Sequence, residues 1–478
     1  MRRLFSAFVA AAVLLVTPLL VSFVTPAAVA QQSAPSSADV PARPSILFNR
    51  WQEDWSVLAD PRVSRQPLDA LKYIPLSSSD PKTYLSFGAT VRERFESNNA
   101  VNFGTGGNQN ANYLLSRTEL HVDLRIAGQI QVFAQLQSDF APWKEKPTPV
   151  DVNSLDLEQA FVALVEPVGK GIMKVRLGRQ QFAFDLQRFV SVRDGPNVRQ
   201  SFDAVWADYE LEPWRFIAFY SQPVQVRNIR PFDDYSTGQF TFSVVRLERK
   251  LSKTTGLSAY YARYAQDNAQ YLNASGVERR DVADIHFAGA ENGFDWDVEA
   301  MVQAGSVGNK TIFAWAMGAI AGYTFADVSM TPRLGLQFDI GSGTNDRNGS
   351  VFGTFNPLFP NGYYFTLGGF TSYSNLIHIK PSLTVRPTKS TRLMLAAAAQ
   401  WRQTTADAVY AQPNVPVPGT AGQPGSYTGS YGQLRFDWTV TPYLNFAVEA
   451  VYFVVGDVIR RAGGRDGSYI GVQLAFGW

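Results

Sequence analysis

Strict alternation of apolar and polar side chains constrains the fold of this chain more than any other feature. The pattern occurs at residues 84–94, 119–126, 129–137 and 433–440. Successive side chains of a β-strand point to opposite faces, so each segment would have one apolar face and one face of charged or amide groups. A single strand of a soluble β-sandwich gives the same pattern, so other features must decide between a sandwich and a membrane barrel.

Three features favour the membrane barrel. The polar faces carry Arg, Asp, Glu and Gln, where a soluble sheet more often carries Thr, Ser and Lys. Short turns such as Thr441-Pro442 alternate with long Gly-, Asn- and Pro-rich segments at 341–350 and 411–430, as in barrels with short periplasmic turns and long outer loops. Residues 470–478 alternate strictly and finish on an aromatic residue, like the strand that the outer-membrane assembly machinery reads.

The size of the barrel follows from the length of the alternating region. Aromatic residues make up 13% of the chain, yet no apolar run of about 20 residues follows residue 30, which argues against helical membrane spans. A sheet that spans lipid must close on itself to pair its backbone groups. At about 22 residues per strand and loop, the sequence predicts an all-β fold, a transmembrane antiparallel β-barrel of about 16 to 18 strands with an aqueous lumen, in the bacterial outer membrane.

The first 30 residues are predicted to be a cleavable signal peptide. Arg2 and Arg3 precede an apolar run at 4–24, and Ala28-Val29-Ala30 is a small-x-small cleavage site. An uncleaved membrane anchor is the alternative. Without residues 1–30 the chain has 41 basic and 41 acidic residues, so any charge selectivity must come from how the charges are arranged.

The remaining chain divides into two predicted regions. Residues 31–83 carry tryptophans and leucines among charges in a weakly helical pattern, and are expected to form a periplasmic or plug-like segment. A loosely docked tail is the alternative. Residues 84–478 are expected to form the barrel.

The stretches 174–180, 188–191, 193–199 and 201–203 resemble the alginate export family of outer-membrane proteins. The resemblance extends over nearly all of the chain after about residue 48. It implies an 18-stranded barrel whose arginine-lined constriction passes a polyanionic uronate polysaccharide outward.

Arginine is the residue expected to line such a pore, because its charge persists and its planar fork matches a carboxylate. Rings of arginine are also the usual device of anion pores. The predicted pore-lining residues are Arg92, Arg94, Arg117, Arg125, Arg176, Arg179, Arg188, Arg193, Arg199, Arg402 and Arg435. The predicted counter-charges at the constriction are Asp185, Asp194 and Asp203. For each arginine the alternative role is a structural ion pair across neighbouring strands.

Neither a catalytic site nor a metal or cofactor site is predicted. The three histidines, His121, His286 and His378, are far apart in sequence, and the loop 341–350 lacks the bidentate Glu of a calcium loop. The leading function is an outer-membrane pore for diffusion of an anionic, alginate-like polysaccharide. The alternatives are an uptake channel for small anionic or sugar solutes, a structural or adhesive barrel, and an outer-membrane hydrolase. The expected partners are membrane lipid, the transported solute and the barrel assembly machinery, for a monomer that binds no nucleic acid.

Overall fold

Alternating side chains place the chain from Tyr84 onward in long strands, because each strand then offers one face to lipid and one to the interior. The computed structural model describes residues 41–107 and 110–478. The predicted signal peptide at 1–30 lies outside the described residues. Within the described residues eighteen long strands follow one another along the chain. They are β1 (Tyr84–Asn98), β2 (Ala111–Ile126), β3 (Ile130–Phe140), β4 (Asn153–Val168), β5 (Gly171–Gln180), β6 (Phe202–Leu211), β7 (Trp214–Pro223), β8 (Phe240–Lys250), β9 (Thr255–Gln270), β10 (Ser275–Glu291), β11 (Phe294–Val307), β12 (Lys310–Thr324), β13 (Arg333–Gly341), β14 (Leu376–Thr388), β15 (Thr391–Trp401), β16 (Tyr427–Thr441), β17 (Leu444–Val455) and β18 (Gly467–Gly477).

The strands close into a barrel. Each long strand pairs antiparallel with the next, and β18 returns to pair with β1, with Thr90 opposite Gly477 and Asn98 opposite Tyr469. Closure pairs the backbone groups of both edges, as lipid requires. The predicted antiparallel β-barrel of about 18 strands is confirmed. No helix among the described residues is both long and apolar enough to cross a membrane.

The two ends of the barrel differ in their connections. At one end, here called the short-turn end, tight turns such as 169–170 and 442–443 join the strands. At the other, the long-loop end, the connections include 181–201, 342–375 and 402–426, although 308–309 is short there.

The interior is not uniformly polar. On β1 and β2 the inward side chains are charged, as the alternation predicts, and apolar residues such as Phe87 and Leu120 are exposed on the outside. On β6 to β9, however, inward residues such as Trp206, Phe219 and Tyr260 are also aromatic. They are buried because the loops 181–201 and 342–375 fold into the lumen and pack Phe182 and Phe359 against them. The barrel therefore has an apolar core inside part of its lumen, in addition to its apolar outer face.

The segment before β1 docks against the short-turn end. It contains two 3₁₀ turns (Arg50–Gln52 and Trp55–Ala59), a short helix (Asp69–Lys72) and a two-residue strand (Ile74–Pro75) that pairs with β1. The Arg50 guanidinium donates to the carbonyl oxygens of Trp478 (2.7 Å) and Ala89 (3.0 Å). These contacts hold the segment to the strands that close the barrel.

Candidate functional site

The loop 181–201 leaves the wall after β5 and folds into the lumen, where Arg92 of β1 and Arg117 of β2 hold its tip. Arg117 of β2 donates through Nε to the carbonyl of Asn197, through Nη2 to that of Pro196 and through Nη1 to the carboxylate of Asp194, each at 2.7 Å. Arg92 of β1 donates to the Asp194 carbonyl, also at 2.7 Å. Both side chains point into the lumen, but their guanidinium groups already bind the loop.

Asp194 at this tip is shared by three guanidinium groups. Arg199, from the same loop, donates to the Asp194 carboxylate at 2.8 Å and forms an ion pair with Glu119 of β2 at 2.6 Å. The Asp194 side chain is nevertheless 47% exposed, whereas those of Arg117 and Arg199 are buried. A solute in the lumen therefore meets the Asp194 carboxylate before it meets the buried guanidinium groups behind it.

Arg188 and Arg193 lie at the contact between the two lumen loops. Arg188 is fully buried, donates to the Tyr364 hydroxyl at 2.6 Å, and forms ion pairs with Asp297 and Glu299 of β11. Arg193 stacks over the Phe359 ring at 5.5 Å. Both residues are part of the packing that holds the loops together.

Three of the remaining predicted arginines pair with acids of the same strand or of a strand nearby. Arg94 reaches Glu96 (2.6 Å) and Glu449 of β17 (2.5 Å), and Arg435 also pairs with Glu449. Arg179 pairs with Asp203 at 2.9 Å. These arginines have the cross-strand arrangement that structural ion pairs would have.

Arg125 and Arg402 are positioned by backbone carbonyls. Arg125 donates to the carbonyls of Trp51 (2.6 Å) and Glu53 (3.0 Å), so it holds the segment before β1. Arg402 donates within the loop 402–426, including to the carbonyls of Asp407 and Thr420. The Arg402 side chain is therefore an internal support of an outer loop.

Arg176 differs from the other predicted arginines. Its guanidinium carbon lies 4.4 Å from the centre of the Trp51 ring and 5.1 Å from that of Trp206, an arrangement in which cation and ring attract each other. Within residues 41–107 and 110–478, Arg176 has no carboxylate at ion-pairing distance and its Nη1 has no hydrogen-bond partner. It is 9% exposed.

Arg176 lines a cavity of about 600 Å³ near the short-turn end of the lumen. That volume lies within the usual range of ligand sites. The cavity wall combines aromatic rings with charges of both signs. Its charged lining residues are Arg176, Arg215, Arg246, Arg249, Lys250, Asp185, Glu210, Glu212 and Glu248.

The sequence analysis missed the cavity residues of β8. Arg246 binds Asp185 through both terminal nitrogens (2.8 and 2.6 Å), and Arg249 stacks on Trp214 at 4.8 Å. In the first half of β8 the inward face is apolar (Phe242 and Val244) and the other face has Thr241 and Ser243, so the alternation there does not mark a polar lumen face. The charged sequence Arg246-Leu247-Glu248 contained the signal, because its two charged residues are separated by one apolar residue.

Comparisons with known proteins agree with this architecture. The barrel is similar to OccAB1 of Acinetobacter baumannii, with a TM-score of 0.57 and 10% identity over 86% of this chain and 99% of that one. It is also similar to OccK8 (OprE) of Pseudomonas aeruginosa, with a TM-score of 0.55 and 10% identity over 82% and 98%. OccK2 (OpdF) of the same organism, crystallised in complex with glucuronate, gives a TM-score of 0.52 at 9% identity over 82% and 98%.

The match by sequence is to a family and not to a single protein. No curated protein matches the chain. The model of the alginate export family matches residues 83–473, which is most of the chain and includes nearly every barrel strand. The protein is thus a pore-forming barrel of the bacterial outer membrane, and it belongs to the alginate export family.

Proposed function

We propose that the pore passes anionic sugars, with an alginate-like polyuronate as its substrate, and that Arg176 binds one uronate carboxylate on the way through. The arrangement of Arg176 between Trp51 and Trp206 carries this proposal. An arginine fork that is not already paired is free to bind a carboxylate through two hydrogen bonds. The Trp51 ring, which is only partly buried and lines the cavity, offers an apolar surface to the C–H face of a sugar.

The acidic residues near Arg176 favour passage of the anionic solute and oppose its tight binding. Asp185, Glu210 and Glu248 line the same cavity and would repel a polyanion. A conducting site must attract its solute strongly enough to admit it and weakly enough to release it. A mixed lining in which Arg176 has no carboxylate partner meets both requirements.

Uptake of single acidic sugars is the second candidate. OccK2, which shares the fold, was crystallised with glucuronate, a single uronate. In this chain the loops 181–201 and 342–375 narrow the lumen. A narrow lumen suits a monosaccharide as well as a single extended polymer chain.

Single-channel recording with Arg176→Gln tests the proposal. The substitution removes the charge and keeps much of the side-chain length. Oligouronates should block the wild-type current, and the variant should need roughly ten to a hundred times more oligouronate, because a hydrogen bond to a charged group contributes about 1.5–3 kcal/mol. The matched control is Arg263→Gln, which removes the same charge from the outer face of the barrel.

The outcomes separate the two candidates. Block by oligouronates but not by glucuronate supports the polymer, and the reverse supports uptake of the monomer. If Arg176→Gln and Arg263→Gln are blocked alike, Arg176 does not bind the substrate. If neutral oligosaccharides block as well as oligouronates, the preference for anions is wrong.

A further inference from the structure

Three carboxylates meet where the loop 181–201 touches the barrel wall. Asp185 comes from the loop, Asp284 from β10 and Glu299 from β11, and one oxygen atom of each lies within 4.8 Å of the others. Asp284 and Glu299 are buried, with 4% and 2% exposure. Asp185 has a left-handed backbone (φ 51°), which aspartate adopts more readily than most residues.

Negative charge exceeds positive charge around this cluster. A fourth acid, Asp297 of β11, lies beside it. Two guanidinium groups face the acids: Arg246 pairs with Asp185, and Arg188 pairs with Asp297 and Glu299. His286 lies between Asp185 and Asp297, 2.9 Å from each. When ionised, the four acids therefore carry more charge than the two guanidinium groups, even with a charged imidazole.

Asp284 is the acid of this cluster that has neither a hydrogen bond nor an ion pair among the described residues. Among the described residues neither of its carboxylate oxygens has a hydrogen-bond partner, and both are buried. Tyr260, directly opposite it on β9, has a buried hydroxyl that also lacks a partner. That hydroxyl interacts electrostatically with all three carboxylates. A buried carboxylate without a partner is strongly unfavourable in its charged form, so Asp284 either keeps a proton or is balanced by a further positive group.

A divalent cation of the calcium type fits the geometry. Calcium takes oxygen ligands at about 2.3–2.6 Å, so its ligand atoms lie within roughly 5 Å of one another. The three carboxylate oxygens satisfy this limit, and the Tyr260 hydroxyl is a neutral oxygen nearby. Two positive charges would also balance the excess of the four acids over the two arginines. We propose that Asp185, Asp284 and Glu299 bind Ca²⁺ or a similar divalent cation, which ties the loop 181–201 to the barrel wall.

A second acidic cluster serves as the matched control. Asp156, Asp233 and Asp234 also bring carboxylate oxygens within 4.8 Å of one another. There, however, Asp234 accepts from the backbone N–H of Arg227 (2.8 Å) and from the Asn153 amide (2.7 Å). The protein thus supplies hydrogen bonds to Asp234 but not to Asp284, so Asp234→Asn removes a carboxylate that does not depend on a cation.

Terbium luminescence and calcium competition test the proposal. The full-length protein, purified in detergent and stripped with EDTA, is titrated with Tb³⁺, whose emission is sensitised by nearby tyrosine. The wild type and Asp234→Asn should give a signal that Ca²⁺ displaces, and Asp284→Asn should lose at least tenfold in affinity. Heat-dependent gel migration checks that each variant is a folded barrel.

Melting temperature is the second readout. Ca²⁺ should raise that of the wild type and of Asp234→Asn but not that of Asp284→Asn. Asp284→Asn should melt no lower than the wild type in EDTA, because an amide of the same size removes a repelling charge. Equal binding by the wild type and Asp284→Asn, or binding by neither, would overturn the proposal. The test does not involve Arg176, so its outcome is independent of the transported solute.

Discussion

Asp194 shields three arginines from the solute. Arg92, Arg117 and Arg199 all converge on it, and its carboxylate is the exposed member of the group. Asp194→Asn should therefore increase the preference for anions, because the negative charge is lost while Arg92 and Arg117 keep backbone carbonyls, and Arg199 keeps Glu119, as partners. A unit charge at about 4 Å in water contributes about 1 kcal/mol, so the anion-to-cation permeability ratio should rise roughly fivefold.

The reversal potential in a salt gradient measures this change. Asp281→Asn, which removes an acid from the outer face of the barrel, should leave the ratio unchanged. A ratio that does not move in Asp194→Asn would mean that ions do not pass by the loop tip.

Lys72, at the short-turn end, should make the docking of the segment before β1 depend on pH. Burial, and then the nearby charge of Arg50, lower the pKa of Lys72 to about 7. Its ordinary pKa of about 10.5 returns when the segment undocks, so between pH 7 and 10 the undocked state binds more protons. Docking should therefore strengthen as pH rises through this window, by up to tenfold per pH unit, and gain nothing below it.

Limited proteolysis between pH 6 and 9 detects this change. Cleavage within residues 41–80 should slow at the higher pH, after correction for the activity of the protease on a peptide standard. Lys72→Met should be resistant at pH 6 and show a flat profile. A wild-type profile as flat as that of Lys72→Met would exclude Lys72 as the cause.

Among the structural elements, the segment before β1 should narrow the entrance to the lumen. Trp51 carries it inward, where the indole packs edge-on against Phe161 of β4 at 5.9 Å and against Arg176. Deleting residues 41–75 should raise the single-channel conductance, with Trp51→Ala giving a smaller rise. Unchanged conductance in the deletion would show that the segment lies beside the path of the ions.

The contacts made by the long loops could not be predicted from the sequence. Alternation places Arg92 and Arg117 on the inner face, as found, because it depends only on neighbouring residues. Their contact with Asp194, by contrast, depends on a loop some 80 to 100 residues away turning into the lumen. The same holds for Asp185, Asp284 and Glu299, which come from three separate elements and have no characteristic spacing.

For the whole molecule, the strand count was predictable and the filling of the barrel was not. A strand and its connection average about 22 residues in such barrels, so the length of the alternating region limits the number of strands, although single connections vary widely. The aromatic interior of β6 to β9 depends on loops that pack from inside. In these strands the alternation of apolar and polar residues is weak, because the inward face also has apolar side chains.

A closed barrel of this kind should resist unfolding in detergent gels. An unheated sample should migrate faster than a boiled one, because the closed sheet stays compact until heat breaks it. Light scattering in detergent should give the mass of one chain, as predicted for a monomer. Migration that heating does not change, together with a monodisperse sample in buffer without detergent, would contradict a membrane barrel.

The contact of Arg50 with the Trp478 carbonyl has a consequence for biogenesis. Arg50 holds atoms of both β1 and the residue that follows β18, which become neighbours only when the barrel closes. We therefore expect the leading segment to gain this anchor only after β1 and β18 have paired. The time at which the leading segment becomes resistant to protease should therefore report when the barrel closes. A pulse–chase experiment on growing cells measures that time.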